Sequence, residues 1–227
     1  MRIESTKTRA LKEARDLFQR VGYDGFSFQD VADKIGIKKG SLYGHFKSKE
    51  ELMLYLMDFY FEGLNQWTET VSVFEPKDQV NAYFEGLIKF SDEEMLCPVC
   101  SMGKDAGKLS RAVRTKIANF CETHNAWLAR TLKAGQKRGQ FRKDVSCIEL
   151  ADLVSSVSLG AQLKARALND SGEINKMRNQ LFKLIAADAE VTEQVRDKLR
   201  EQVLDERSEG EDAGKGDILD NQAEQER

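Results

Sequence analysis

The sequence contains little proline, no long apolar stretch and few cysteines. It has two prolines in 227 residues, so long helices can form without interruption. Its most apolar stretch, residues 52–61, is too short for a bilayer, which takes about 20 apolar residues, and the first seven residues show no apolar signal region. Its four cysteines are too few for a disulfide-stabilised secreted scaffold. We therefore expect a cytoplasmic protein with reduced thiols and no membrane association.

Charge is distributed unevenly along the chain. The formal net charge of −3 combines +3 in residues 1–52, zero in residues 53–204 and −6 in residues 205–227. The basic N-terminal segment suits an anionic partner, although a surplus of three charges also fits an ordinary solvated surface. Residues 188–204 retain the apolar spacing of a helix. Residues 205–227 combine high charge with low hydrophobicity, which is typical of disorder.

The first 50 residues predict three short helices. Apolar residues recur at helical spacing in residues 11–21, and the polar residues Arg15 and Gln19 are expected on the solvent face. An S-x-x-D capping box at residues 27–30 opens a second helix, and a third is expected in residues 38–46. The tight turn between the last two is typical of a helix-turn-helix. A small helical subdomain with a lysine-rich solvated face explains the same pattern without DNA.

Four short motifs lie in this segment, and the match that they belong to spans about 45 positions with no gap. They are Gly22-Tyr23, Asp30-Val31-Ala32, Lys39-Gly40-Ser41-Leu42-Tyr43 and the run from His45 to Leu52. Together they resemble the N-terminal domain of TetR/AcrR-type transcriptional repressors, over about a fifth of the chain. Lys38 and Gly44 depart from the residues frequent in that family. Both lie on the presumed recognition helix, so they bear on which operator is bound.

The resemblance implies an all-α homodimeric repressor that a ligand releases from a pseudo-palindromic double-stranded DNA operator. We accordingly expect a helix-turn-helix domain in residues 1–50, a larger helical regulatory and dimerisation domain in residues 51–190, and a terminal helix with an acidic tail in residues 191–227. The residues implied to contact DNA are Ser27, Gln29, Lys38, Lys39, Gly40, Ser41, Tyr43, His45, Lys47 and Lys49.

Helical spacing continues beyond residue 50. An S-x-x-E capping box at residues 48–51 opens a long fourth helix, and Pro98 with Gly103 marks a break. The predicted helices of this part are 48–71, 77–93, 109–136, 147–168 and 172–187. The resemblance places the dimer interface on the last two. The residues expected there are Leu153, Val157, Gly160, Ala161, Lys164, Phe182 and Ile185.

The motif Cys97-Pro98-Val99-Cys100 allows four interpretations. A cysteine near a helix N-terminus reacts as the thiolate, and some TetR-like repressors of electrophiles and oxidants carry a cysteine at about this place, so a thiol sensor is one. A thioredoxin-like enzyme would need a preceding strand, and no strand is predicted there. With Cys121 and His124 the spacing becomes C-x2-C-x20-C-x2-H, which is compatible with zinc. Ordinary packed thiols are the fourth.

The sequence thus predicts a transcriptional repressor that responds to a small-molecule inducer or to an electrophile. No catalytic residue, cofactor or metal is assigned. The alternative is a thiol oxidoreductase or a zinc-binding helical protein centred on the cysteines and His124. Aromatic residues at helical spacing are more often core than pocket. The residues expected to bind a ligand or to sense redox state are Cys97, Cys100, Trp67, Phe84, Met102, His124 and Trp127.

Overall fold

Helices make up most of residues 4–187, the part of the chain that the computed structural model describes. Their bounds are α1 Thr6–Val21, α2 Phe28–Ile35, α3 Lys39–Tyr43, α4 Lys49–Val71, α5 Pro76–Asp92, α6 Pro98–Asp105, α7 Arg111–Lys137, α8 Cys147–Leu168 and α9 Gly172–Ile185. The β-type pairing within residues 4–187 is one isolated bridge, between Phe141 and Ala186. The predicted all-α fold is confirmed. The helix and acidic tail predicted in residues 188–227 lie outside the described residues.

Serine residues begin five of these helices by the same hydrogen bond. The serine Oγ accepts from the backbone N–H three residues later, which satisfies one of the amides left unpaired at a helix start. The five are Ser5, Ser27, Ser48, Ser110 and Ser146. The predicted capping box at residues 27–30 is complete. In the predicted box at residues 48–51, the Glu51 carboxylate instead accepts from the backbone N–H of Lys47.

The structure differs from the predicted helices most clearly at two places. Helix α3 is confined to Lys39–Tyr43, because Lys38 is still extended, with φ −74° and ψ 140°, and the chain turns at Gly44. Residues 98–105 form α6, where the sequence predicted a break. Pro98 occupies the first helical position, where its missing N–H would be unpaired in any case and its fixed φ suits the helix. The proline therefore starts a helix rather than interrupting one.

Two hydrophobic cores organise the fold. We call α1–α3 the head and α4–α9 the body. The first core joins the head to α4 and reaches α6 and α7 through Met102 and Phe120. The second joins α5, α7, α8 and α9 around Phe84 and Ile174. Because Met53 and its neighbours on α4 belong to the first core, the packing of the head continues beyond residue 50 into the body. No helix in the described part of the chain is long and apolar enough to cross a membrane.

Helix α1 is also bonded to the connection between α5 and α6. The backbone N–H of Leu96 donates to the Gln19 carbonyl at 3.1 Å, and Gln19 Nε2 donates back to the Leu96 carbonyl at 2.7 Å. A third bond runs from the backbone N–H of Tyr23 to Asp105 Oδ2 at 2.7 Å. The C-terminal end of α1 and the turn after it are therefore held by Leu96, just before α6, and by Asp105, the last residue of α6.

Gly135 of α7 tests the packing of the second core. A Cβ added there would lie 2.3 Å from Cδ2 of the buried Phe141 ring. We expect Gly135→Ala to lower the free energy of unfolding by about 1–3 kcal/mol, because the ring has to move within a close-packed core. Denaturant unfolding measures the change. Gly86→Ala is the matched control, since its Cβ would meet no atom within 4 Å and alanine favours the helix by up to about 1 kcal/mol. Equal midpoints for the two variants would contradict the close approach.

Candidate functional site

The head presents an exposed surface built from α2, α3 and the turns beside them. The apolar residues of the two helices are buried beneath it, and the polar side chains face outward; the buried residues are Phe28, Val31, Ala32, Ile35 and Leu42. Gly36 ends α2 in the left-handed conformation, with φ 74°, which sets the turn between the helices. Nine of the ten residues expected to contact DNA are exposed here: Ser27, Gln29, Lys38, Lys39, Gly40, Ser41, Tyr43, His45 and Lys47.

Several of these side chains are held in place by neighbours. The Tyr43 ring packs on Phe28, with 5.0 Å between centroids, yet remains 52% exposed. The Ser27 hydroxyl donates to Asp30 Oδ2 at 2.7 Å, and this bond lowers the pKa of the Asp30 carboxyl. Gln29 Nε2 donates to Asp33 at 2.7 Å. The start of α2 therefore carries bonded carboxylates, whereas α3 and its flanks present lysines.

Lys49 differs from the other nine. Its ammonium donates to the Phe26 carbonyl and lies 4.6 Å and 4.4 Å from the ring centroids of Tyr23 and Phe26. Burial lowers the pKa of Lys49, because removing its charged form from water is unfavourable. The ammonium of Lys49 therefore interacts with a carbonyl and two aromatic rings of the head itself. Lys49 is half-buried and contributes to the packing of the head, and the contact with the DNA backbone that the resemblance implies stays a prediction.

A cavity of about 330 Å³ lies in the body between α4, α5, α6, α7 and α8, and α1 reaches its wall. Of the seven residues expected to bind a ligand or sense redox state, Trp67, Cys97 and His124 line it. Phe84 and Met102 are buried in the two cores, and Cys100 is also buried outside the lining. The Trp127 ring lies behind the wall, with its centroid 5.0 Å from that of Trp67.

Several residues of the wall were not predicted from the sequence. Tyr60, Tyr83 and Gln19 are the most informative, because each brings a polar group to a mostly apolar surface. Gln19 was expected on the solvent face of its helix, but its side chain is 1% exposed. Its position became clear only from the packing of α6 against α1.

Three titratable groups of the wall, His124, Tyr60 and Tyr83, are uncharged at neutral pH. Burial lowers the pKa of His124 to about 4, so the imidazole is neutral. Burial raises the pKa of Tyr60 and of Tyr83, so both phenols keep their protons. The Tyr83 hydroxyl is paired with Ser158 Oγ at 2.7 Å. Neutral side chains of this kind favour binding through shape and hydrogen bonds rather than through charge.

Cys97 lies at the start of α6 with its thiol in the cavity wall. The backbone N–H of Cys97 donates to Gln162 Oε1 at 2.9 Å, and Gln162 Nε2 lies 3.4 Å from Cys97 Sγ. Hydrogen bonding from the Cys100 thiol lowers the pKa of Cys97, and the same pairing raises the pKa of Cys100. Cys97 is therefore the more acidic thiol of the pair. Its position at the start of a helix fits the reactive kind of cysteine.

The two alternatives centred on the cysteines find no support in the structure. Helix α5 precedes the Cys97 motif, where a thioredoxin-like site needs a strand. Among residues 4–187, no three His, Cys, Asp or Glu side chains converge to hold a metal ion, so the zinc spacing does not form a site. Cys121 and His124 each line the cavity instead.

Helices α8 and α9 carry exposed apolar side chains on their outer face. Leu153, Leu163 and Leu184 are 41%, 51% and 48% exposed. Of the residues expected at a dimer interface, Ala161 and Ile185 are wrong for that role, because they are 2% and 0% exposed within the protomer's own core. The others are exposed or half-buried: Leu153, Val157, Gly160, Lys164 and Phe182.

These features define a helix-turn-helix transcriptional regulator with a separate cavity in its body. Residues 10–56 match the family model of bacterial regulatory proteins of the tetR family, and residues 76–181 match the model of the tetracyclin repressor-like C-terminal domain. Together the two models cover more than half of the chain. The chain belongs to the TetR family. The resemblance that the head motifs indicated is thereby confirmed.

Relatives match most of the described chain at modest identity. The repressor DhaR of Mycobacterium sp. (strain GP1) is 24% identical over 79% of this chain and 92% of its own length. The repressor ComR of Escherichia coli (strain K12) is 27% identical over 69% of this chain and 78% of its own length. A TetR transcriptional regulator from Legionella pneumophila has a similar crystal structure, with a TM-score of 0.74 and 26% identity, covering 82% of this chain and all of that one.

The buried His124 makes stability depend on pH. Its folded pKa of about 4 lies below the ordinary value of 6.5, so the unfolded chain binds a proton that the folded protein does not. Stability is therefore lost as the pH falls below 6.5. Between pH 7 and pH 5 this loss amounts to about 2 kcal/mol of unfolding free energy.

His124→Phe removes this titration while keeping a ring in the wall. Denaturant unfolding at pH 7 and pH 5 should show a smaller drop in the variant than in the wild type. A comparison of slopes is informative even if the variant is less stable at both values. An equal drop in both proteins would show that His124 does not titrate as its burial implies.

Proposed function

We propose that this chain is a repressor that binds a pseudo-palindromic operator as a homodimer and releases it when a small molecule occupies the cavity. The single observation that carries the proposal is the position of the cavity. Its wall contains residues of α1 and α4, and the same two helices pack in the core of the head. A molecule in the cavity therefore touches the elements that hold the DNA-binding surface.

The head supplies groups suited to the major groove. Lys38, Lys39 and Lys47 are exposed on or beside α3, and lysine neutralises phosphates and reaches the acceptors of guanine. Tyr43 and Ser41 add hydroxyl donors. In a two-fold dimer the two copies of α3 would enter successive grooves about 34–36 Å apart, which requires an operator with two related halves.

The exposed face of α8 and α9 supports the homodimer. Leucines at positions 153, 163 and 184 lie open to solvent, together with the small residue Gly160. Apolar side chains on one outer face mark an interface more often than an ordinary surface. Small residues there allow two helices to approach closely. A second copy of the chain is the partner that we propose for this face.

Cys97 supports a second route of release. It combines a lowered pKa with a position in the cavity wall, so an electrophile that enters the cavity meets the more acidic of two neighbouring thiols. Attack by the Cys97 thiolate on an activated alkene forms a carbon–sulfur bond, and the adjacent carbon takes a proton. The added group would fill the cavity as an inducer does.

Substitution of Lys39 tests the DNA-binding surface. Lys39→Ala should weaken binding to the DNA upstream of the protein's own gene by about 1–3 kcal/mol and reduce the salt dependence. Gel shift over a range of salt concentrations measures both. Lys133→Ala is the matched control, because Lys133 is an exposed lysine on α7 in the body. The surface assignment fails if the two variants bind equally well.

Substitution of Cys97 tests the second route. N-ethylmaleimide should release the operator from the wild type, and Cys97→Ser should resist release by at least tenfold in reagent concentration. Cys147→Ser is the control, since Cys147 lies at the start of α8 away from the cavity lining. Mass spectrometry identifies the modified residue. Release of the Cys97→Ser protein at the wild-type concentration would overturn the thiol route and leave release by an inducer unaffected.

A further inference from the structure

The charges around the cavity point to an uncharged ligand. Of the described residues that line it, Arg15 is the one charged side chain, and no carboxylate is among them. The guanidinium of Arg15 is already paired, with Nε and Nη2 each 2.7 Å from Asp16 Oδ1. A cation would find no carboxylate in the wall, and an anion would have to compete with Asp16. Neither charge is favoured once it has left water.

The wall contains several aromatic residues. Phe59, Trp67, Tyr83, Phe90 and Phe120 come from α4, α5 and α7 and present their rings to the cavity. Aromatic rings prefer offset or edge contacts with other rings, which favours a flat aromatic molecule. The volume of about 330 Å³ lies at the small end of ligand sites, which hold roughly 300–1,000 Å³.

Three polar atoms in this wall are buried without a hydrogen-bond partner among the described residues. They are Oε1 of Gln19, the Tyr60 hydroxyl and Nε2 of His124. They belong to three different helices, α1, α4 and α7. An unpaired buried polar atom destabilises a folded protein, so three in one wall need an explanation. A ligand that supplies the missing partners would recover part of that cost.

Gln19 is the most specific of the three, because its orientation is known. Its Nε2 donates to the Leu96 carbonyl at 2.7 Å, and a carbonyl can only accept, so the other atom of the amide is the oxygen. The unpaired Oε1 therefore accepts, and its partner has to be a donor. Gln19 belongs to α1, a helix of the head.

We infer that the cavity takes an uncharged aromatic molecule that donates a hydrogen bond to Oε1 of Gln19. A residue of the head is then itself part of the ligand site. The inference rests on the proposed function only in taking this molecule to be the inducer. Because Gln19 also holds Leu96, a ligand bound to Oε1 acts on α1 directly, without a change passed along α4.

Three related dyes serve as probes. N-phenyl-1-naphthylamine is uncharged and has one N–H donor. In 1-phenylnaphthalene the nitrogen and its hydrogen are missing, and 8-anilinonaphthalene-1-sulfonate adds a negative charge to the amine. Fluorescence titration of the full chain gives the three affinities without DNA. We expect the sulfonate to bind at least tenfold more weakly than the amine.

The variant Gln19→Leu isolates the hydrogen bond. It should lower the affinity for the amine by about fivefold, the value of one ordinary hydrogen bond, and leave the affinity for the hydrocarbon unchanged. The ratio of the two affinities is the readout, because a general loosening of the cavity would change both. Gln19→Met gives the same comparison with a more flexible side chain if the leucine variant does not fold.

Gly86→Leu tests whether the dyes occupy this cavity. Gly86 lines it, and an added Cβ would meet no atom within 4 Å, so the leucine side chain can extend into the open space. We expect it to abolish binding of the amine while the helical circular dichroism is retained. Gly86→Ala, which adds one methyl group, should keep most of the binding.

The possible outcomes separate this inference from the proposed function. An unchanged ratio in both Gln19 variants, equal binding of the sulfonate and the amine, or full binding by a folded Gly86→Leu protein would each overturn it. Operator binding is measured separately by gel shift. A protein that binds its operator but none of the dyes keeps the repressor function and loses this ligand class. A protein that binds the amine as expected but no DNA keeps the ligand site and loses the repressor function.

Discussion

The reciprocal hydrogen bonds between Gln19 and Leu96 are the constraint on which the arrangement of this protein depends. They join the last turn of α1 to the connection that leads into α6. The next residue, Cys97, is bonded in turn to Gln162 on α8. The head, the cavity wall and α8 are thus connected through the adjacent residues Leu96 and Cys97. Each of these bonds is buried, so breaking one leaves a polar group unpaired and costs more than the same bond at the surface. The junction therefore favours a small number of discrete arrangements over gradual deformation.

The head could be predicted from the sequence in most of its detail, and the cavity could not. The helices and the exposed surface of the head follow from local sequence signals, namely a capping box at residues 27–30, a glycine turn and a short run of exposed lysines. The cavity depends on which faces of five helices meet, and helical spacing alone does not determine that. Trp67 and His124 were predicted to bind a ligand or sense redox state and do line the cavity, whereas Gln19 was expected on the solvent face because it is polar. Pro98 shows the same limit, since a proline either interrupts a helix or begins one, depending on the residues after it.

Lys49 shows how a family resemblance and a physical environment can differ. The motif that contains it is typical of the family's DNA-binding domain, but its ammonium is held between two rings and a carbonyl of the same head. A lysine within such a motif can therefore contribute through stability. The lysines at positions 38, 39 and 47 are exposed at the surface. Of the four lysines expected to contact DNA, three are therefore exposed on the surface of the head and Lys49 is half-buried.

The place of Gln19 on a helix of the head also limits how this protein can diverge. A substitution there that suited a new inducer would at the same time alter the bond to Leu96 and hence the position of the DNA-binding surface. Selection on the ligand and selection on the operator therefore act on one residue. Gly63 and Gly86 line the same cavity, have open space beside them and belong to the body, so they can vary without that second penalty. New ligand preferences within this lineage should arise first at such positions, and changes at position 19 should accompany changes in the operator.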